Sequence, residues 1–330
     1  MIGFDIGTYS LKAIELQKRD NLFTLLSFKT QDRQPQEALS VSLKKFLEDA
    51  KFSSRELNIA VSGYLVLSRI IELPEMNNSE LTNAVKFEVE KFIPFNIEDA
   101  ILDYQVILKS PEVKKITVLL AAAKKDFVKE YVDVFSKLGF IIKVMDVDGI
   151  ALTNAFLNAH PEKKEETYDK AFVLLDVGDT VLNMSVVYKG IPFVLRDITG
   201  SGKDISEVIS KGLGVDKKEA YQLKHNPPSD KQELIFELMR PTLSRFAREI
   251  RLSIGYFENQ FSKGVDAIYL SGGSSRLFGL KEFLAESLDI QIEFWDPFIP
   301  ITVGKDVSVK SLEAAKPELA VCVGLAIRDD

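Results

Sequence analysis

Short apolar runs alternate with stretches of helical period along the whole chain. Ile2 to Phe4 and Ala13 to Leu16 read as strands around a glycine-containing turn, and Leu22 to Phe28 as a third. Gln36 to Leu47 reads as a helix, with Leu39, Val41, Leu43 and Leu47 among its apolar positions. Asn58 to Val61 and Leu65 to Leu73 follow as strands, the second closed by Pro74. Asn77 with Glu80 three residues on forms a capping-box-like helix start. Leu81, Val85, Val89 and Phe92 then recur at helical spacing, and Pro94 stops that helix. Asp103 to Leu108 and Ile116 to Ala122 read as strands, Lys125 to Leu138 as an amphipathic helix, and Ile141 to Val147 as a strand.

A second series begins after the charged, apolar-poor segment Pro161 to Thr167, a candidate boundary. Its strands are Ala171 to Leu175, Leu182 to Tyr188, Ile191 to Arg196, Ala267 to Leu270 and Ile290 to Trp295. Helices are expected over Asp204 to Gly212, Leu243 to Phe261 and Leu280 to Leu288, with Pro241 marking the start of the long one or a kink before it. His225 to Asp230, with Pro227 and Pro228, is expected to be a loop, and Pro317 to open a final helix carrying Gly324. Strands alternating with helices argue an α/β architecture.

The chain has 330 residues, which suggests about two domains, and a net charge of −7 with interspersed signs. That balance argues against a dedicated nucleic-acid binder, which needs a basic face. Its one cysteine, Cys322, excludes an intramolecular disulfide. The two histidines, His160 and His225, stand in polar segments and are expected to be exposed, so neither a Cys/His zinc site nor histidine-based nucleophilic catalysis is expected. The longest apolar run, Ile116 to Ala123, falls far short of the roughly 18 residues that span a bilayer. The N-terminus lacks signal-peptide features. The expectation is a cytoplasmic chain with no direct membrane insertion.

One long-range repeat changes the picture. Phe4-Asp5-Ile6-Gly7-Thr8 resembles Leu175-Asp176-Val177-Gly178-Asp179-Thr180 about half a chain later, each at the end of an apolar segment and before another strand. Glycine lets such a turn approach a ligand closely, and successive N–H groups form an anion-holding nest. Thr8, Ser10 and Thr180 add hydroxyl donors. Asp5 and Asp176 repel phosphate and make sense with a divalent cation between them, Mg²⁺ through water, while Lys12 supplies compensating charge. A third turn, Ser271 to Ser275 with Gly272, Gly273 and Ser274, runs from a buried strand towards a helix and suits a base and ribose lying against backbone. Gly200-Ser201-Gly202-Lys203 is not a P-loop, because Asp197 and Asp204 stand where that motif needs Gly and Ser or Thr. Gly200, Gly202 and Lys203 remain candidates for a turn beside the nucleotide.

In this order, Asp5 to Lys12, Asp176 to Thr180 and Leu270 to Ser275 resemble the two phosphate motifs and the adenosine motif of the actin-like ATPase superfamily. Asp146 to Ala151 and Glu318 to Ala326 stand where its connecting helices belong. Leu73-Pro74-Glu75-Met76, Val85 to Phe95 with Ile93-Pro94-Phe95, Asp103-Tyr104-Gln105, Ala121 to Lys124 and Asp296-Pro297-Phe298 are similar to the PilM family of type IV pilus assembly, over nearly the whole chain.

The resemblance implies an actin-like ATPase (ribonuclease H-like) fold of two related domains, each with an inserted subdomain. The first spans 1–163, with an FtsA-like insertion at about 76–145. The second spans 164–330, with an insertion at about 200–262 and a final helix at 317–328 packed back on the first. It implies ATP and Mg²⁺ in the cleft, with Gly7, Thr8, Tyr9, Ser10, Lys12, Gly178, Asp179, Thr180, Gly200, Gly202, Lys203, Gly272, Gly273 and Ser274 on the nucleotide and Asp5 and Asp176 on the metal. Asp148 is the candidate for positioning an attacking water, its alternative being a helix N-cap. Tyr221 replaces the glutamate that many relatives place on the ribose. The implied partner is the cytoplasmic N-terminal tail of PilN, in a groove between the first core and its insertion, near Leu81 to Phe95. Leu81, Val85 and Phe92 themselves read as core of the insertion. Membrane recruitment through that partner, self-association into a ring and a role in twitching motility follow from the same resemblance. Slow or absent ATP hydrolysis is expected. The competing reading is a small-molecule kinase of the same superfamily, for which no polar sugar-binding cluster is visible. A membrane-tethered cell-division reading is disfavoured, since no amphipathic helix follows Ile327.

Overall fold

A computed structural model describes the chain except residues 21, 34–36, 64, 111–113, 166–167 and 329–330. Strands β1 (Ile2–Ile6), β2 (Ser10–Arg19), β3 (Leu22–Asp32), β4 (Glu56–Val61), β8 (Ile141–Val147) and β14 (Ile301–Val303) form one sheet in the order β14-β3-β2-β1-β4-β8. A second sheet holds β9 (Ala171–Val177), β10 (Val181–Tyr188), β11 (Ile191–Thr199), β12 (Val265–Ser271) and β13 (Gln291–Phe294) in the order β11-β10-β9-β12-β13. The two share a pattern. The central strand β1 pairs antiparallel with β2 and parallel with β4, as β9 does with β10 and β12. Ala171 to Leu175 are all buried, as expected of a strand covered on both faces.

Helices α1 (Leu39–Ala50) and α3 (Lys125–Lys137) cover one face of the first sheet, where Phe46 and Phe135 meet the Phe4 ring edge-on at 5.1 and 5.5 Å. Between the two sheets lie α4 (Asp148–Ala159) and α10 (Ala320–Ala326). Ala155 faces the first core, while Leu152 and Phe156 pack on Phe172 and Leu174 of the second. Helices α5 (Gly202–Leu213), α6 (Lys217–His225), α7 (Gln232–Phe261) and α8 (Leu280–Leu288) close the outer face of the second sheet. A short helix α9 (Val309–Ala315) precedes the last turn.

The module inserted into the first half differs from the 76–145 expectation. Its sheet starts at β5 (Val66–Pro74) and adds β6 (Ala100–Ser110) and β7 (Lys115–Lys124) in the order β5-β7-β6, while α3 and β8 belong to the main core. Helix α2 (Asn78–Glu90) buries Leu81, Val85 and Val89 against Ile116, Val118 and Leu120. Asn77 and Glu80 form the anticipated box, with reciprocal bonds of 3.0 and 3.1 Å. Phe92 is 41% exposed rather than core, and the Arg69 guanidinium lies 3.8 Å from its ring centroid. The 200–262 segment makes no sheet of its own among the described residues; its helices share the core of the second sheet.

Helix boundaries also shift. The first helix starts at Leu39, and Gln36 lies outside the described residues. Pro241 sits inside the 30-residue α7, exposed, while Ile235 and Met239 continue the buried stripe of Leu243 towards the N-terminus. Helix α6 is an addition; Asp216 caps it by accepting from the Glu219 N–H at 2.8 Å.

The halves are held together by close backbone contact. A Cβ at Gly324 on α10 would stand 1.7 Å from the Ala151 carbonyl oxygen on α4. Gly324→Ala should therefore destabilise by about 3 kcal/mol or more, because backbone rather than a flexible side chain must give way. Gly255→Ala, in α7 with nothing within 4 Å, should be neutral or stabilise by up to about 1 kcal/mol. Urea unfolding of both variants checks the contrast; similar effects would contradict it.

Candidate functional site

The turn at Gly7–Tyr9 joins β1 to β2, and the turn at Gly178–Thr180 joins β9 to β10. They meet across a cleft of about 350 Å³ between the halves. Thr8 Oγ1 and Thr180 Oγ1 lie 3.0 Å apart, a hydrogen bond that either hydroxyl can donate. Antiparallel pairing sets Lys12 directly opposite Asp5, so both side chains leave the same face. Lys12 Nζ donates to Asp5 Oδ2 at 2.6 Å. Burial alone would lower the Lys12 pKa, but the Asp5 charge outweighs it and keeps the ammonium protonated.

Asp176 accepts from Ser271 Oγ at 3.0 Å. Burial pushes its pKa up to about 6, against the pull of Lys12 and with a push from Asp5. Asp148 is the first residue of α4, not its cap; Val147 holds the cap position. Asn183 Nδ2 donates to Asp148 Oδ2 at 3.2 Å. Burial, then the Asp5 charge, pushes the Asp148 carboxyl up to about 8 despite a hydrogen bond from Ser62.

The cleft wall thus carries Asp5, Gly7, Thr8, Tyr9, Ser10, Lys12, Asp148, Asp176, Gly178, Asp179, Thr180, Gly273 and Ser274. Gly200, Gly202, Lys203 and Gly272 stand behind it. The N–H groups of Gly200, Gly202 and Lys203 donate to the carbonyls of Thr180, Gly178 and Asp179 at 2.9, 3.2 and 2.7 Å, bracing the second turn. Gly272 has φ +92°, and a Cβ there would stand 2.5 Å from the Val177 backbone.

Sequence reasoning missed Lys224. It is fully buried, donates to the Gly202 carbonyl at 3.0 Å and lies 4.0 Å from Asp179. Burial, opposed by Asp179, lowers its pKa to about 8. Its available signal was position, three residues after Tyr221 and one after Leu223. The cleft also takes in Arg33, Ser62, Tyr131, Asn183 and Glu318. Burial raises the Glu318 pKa.

Tyr221 stacks on Tyr9 across the cleft, with centroids 4.8 Å apart and planes 6° from parallel. Tyr9 Oη donates to Asp32 at 3.1 Å. Beyond the stack a wider cavity of about 800 Å³ is lined by Tyr221, Gln222, His225, Asn226, Gly273, Arg276 and Glu318. The histidines are therefore not the exposed residues expected. His225 ends α6, with Nδ1 3.3 Å from the Arg276 carbonyl, and burial lowers its pKa to about 4. His160 packs on Phe156 at 4.7 Å, and burial lowers its pKa too.

Oxygen donors from carboxylates and hydroxyls are the ligands a hard cation takes. Among the described residues no group of three or more His, Cys, Asp or Glu is close enough to hold an ion directly. Asp5 and Asp176 bring carboxylate oxygens of that kind to the cleft.

A separate groove of about 400 Å³ runs between the first sheet and the inserted one, lined by Ile101, Asp103, Leu119, Ala121, Ala123, Met145, Val147, Ile150 and Arg328. Leu119, Ala121 and Ala123 are the alternate positions of β7 to those that hold α2. The Leu81 to Phe95 segment therefore covers the opposite face of the sheet, not the groove.

The buried Asp148 predicts a pH effect. Its folded pKa is raised, so the folded chain binds the proton more tightly, and that stabilisation fades as pH climbs from about 4 through about 8. Without divalent ions, Asp148→Asn should be more stable than the parent by about 1–3 kcal/mol at pH 8, with the gap closing near pH 4. Urea unfolding at several pH values measures this; a gap independent of pH would contradict the burial.

The model of the family described as type IV pilus assembly protein PilM matches residues 3–330. A solved PilM-PilN type IV pilus biogenesis complex superposes with a TM-score of 0.86 at 28% identity, over 99% of this chain and 97% of that one. The ethanolamine utilization protein EutJ from Carboxydothermus hydrogenoformans matches at TM-score 0.52 and 12% identity, covering 99% and 88% of the two chains. MreB 5 of Spiroplasma citri, bound to AMPPNP, matches at TM-score 0.50 and 10% identity, covering 98% and 93%. These likenesses give the actin-like ATPase fold, and the match across residues 3–330 goes further: the chain belongs to the PilM family of type IV pilus assembly proteins.

Proposed function

We propose that this chain is an ATP-binding scaffold of pilus assembly that holds the cytoplasmic N-terminal tail of a PilN-type membrane protein, with nucleotide state biasing that contact. The observation that carries the nucleotide half is the facing pair of Asp-x-Gly turns, with Thr8 and Thr180 in contact and Lys12 on Asp5. In this reading the turn amides and hydroxyls take the phosphates, and Asp5 and Asp176 hold hydrated Mg²⁺. The wider cavity beside Tyr221 takes the nucleoside, and Asp148 orients a water if hydrolysis occurs. Tyr221 offers the nucleoside an aromatic face in place of a carboxylate.

The partner half rests on the apolar groove between β7 and the first sheet, and on likeness to a chain solved in a PilM-PilN complex. The two sites are physically adjoining. Val61 lines both, and Val147 faces the groove while the next residue, Asp148, faces the cleft. A change in how the halves close on nucleotide therefore reaches the groove through β4, β8 and α4. No helix is long and apolar enough to cross a membrane among the described residues. On this reading the chain reaches the inner membrane face through its partner, and a ring of copies there serves pilus extension and twitching motility.

Calorimetric titration of the full chain with the PilN tail peptide, with and without ATP and Mg²⁺, tests the reading. Peptide binding whose affinity changes with ATP supports it; turnover of a sugar or small acid without peptide binding would favour the kinase reading instead. Asp5→Ala should weaken ATP binding by about tenfold or more while leaving peptide affinity within about twofold. Unchanged ATP affinity would remove the metal from this position.

A further inference from the structure

Among the described residues the cleft wall holds two cationic side chains, and they are not equivalent. Lys12 is committed to Asp5. Arg33 has no carboxylate in ion-pair range among the described residues, although the same cleft gathers Asp5, Asp148 and Asp176. Its place is fixed by the first turn. The Arg33 N–H donates to the Tyr9 carbonyl at 2.7 Å, and Nη1 donates to the Gly7 carbonyl at 3.1 Å. Nε is buried without a partner, and Nη2 has no hydrogen bond among the described residues.

The direction of the site follows from its ends. Tyr221, Gly273 and Glu318 join the cleft to the wider cavity and mark the nucleoside side. Arg33, Tyr131 and Asp148 line the cleft but not the wider cavity, and so stand away from the nucleoside side. A polyphosphate entering from the Tyr221 side would pass between the two turns, with its last phosphate towards Arg33 and Asp148. A guanidinium held at a turn carbonyl, with donors left over, suits a phosphate oxygen.

We infer that Arg33 is the residue that reads the terminal phosphate, so that the cleft distinguishes a nucleoside triphosphate from the diphosphate. The inference rests on the nucleotide reading above and adds a specificity to it. Arg33 anchors the turn to which it would report. Loss of the last phosphate releases the guanidinium to the Gly7 carbonyl alone, and the Tyr9 ring, two residues on in that turn, carries the change to Tyr221 on the other half.

Equilibrium titrations of the full chain with ATP-Mg²⁺ and ADP-Mg²⁺ test this, using the parent chain, Arg33→Gln and Arg33→Lys, each checked by thermal melting. Arg33→Gln should weaken ATP about tenfold and leave ADP within about twofold. Arg33→Lys should recover part of the loss, since it keeps the charge but not the fork. Equal loss of ATP and ADP would mean that Arg33 only braces the turn, and would overturn the inference while sparing the nucleotide reading. Unchanged affinity for both would overturn it equally. Failure of the parent chain to bind either nucleotide would overturn the nucleotide reading and this inference together.

Discussion

Negative charge at the floor of one cleft is the constraint on which the rest of the structure turns. Asp5, Asp148 and Asp176 come from β1, α4 and β9, and among the described residues Lys12 is their one ion-paired cation. Burial out of water raises carboxylate pKa values, and like charges nearby add to the effect. The consequence is visible in Asp148 and Asp176, both pushed well above the usual carboxylate range. A fold that only needed stability would be served better by apolar residues at such buried positions. On the proposed reading, a cation delivered with a polyanion would resolve the conflict, satisfying the acids while the turn amides satisfy the phosphates.

That charge arrangement depends on how tightly the halves are joined. Helices α4 and α10 lie between the sheets and touch through backbone at Gly324, while Gly3 of β1 meets the Cys322 carbonyl from below. The base of the cleft is therefore closely packed, and side chains bridge its mouth. Thr8 to Thr180 and Tyr9 to Tyr221 are contacts between hydroxyls and between rings, each replaceable by ligand contacts. Gly63 adds an N–H to Asp197 across the same divide at 3.3 Å. A stiff base with an exchangeable mouth is the geometry in which a small ligand changes the angle between two bodies.

Much of this was legible in the sequence where one local pattern determined the outcome. The two Asp-x-Gly turns, the capping box at Asn77 and the strand at Ile141 to Val147 each rest on residues within a few positions of one another. Lys12 was readable because antiparallel pairing around a short turn fixes its partner. What escaped was set by tertiary packing. Helix α6 has too few apolar residues to show a period, and β14 and α9 are too short to carry one. Lys224 looks like a surface lysine until α5 and the second turn close over it. Pro241 misled because a proline facing solvent is tolerated in a helix whose opposite face is buried. Which face of the inserted sheet borders the groove was not legible, because the sequence shows that β7 alternates, but not which face α2 will take.

The central claim is that both turns grip one ligand. Hydrogen–deuterium exchange of the backbone amides, followed with and without ATP-Mg²⁺, measures it directly. Slowed exchange at residues 7–10 and at 178–180 together, at one ligand concentration, is the predicted result. Protection confined to one turn, or absent from both at saturating nucleotide, would contradict it.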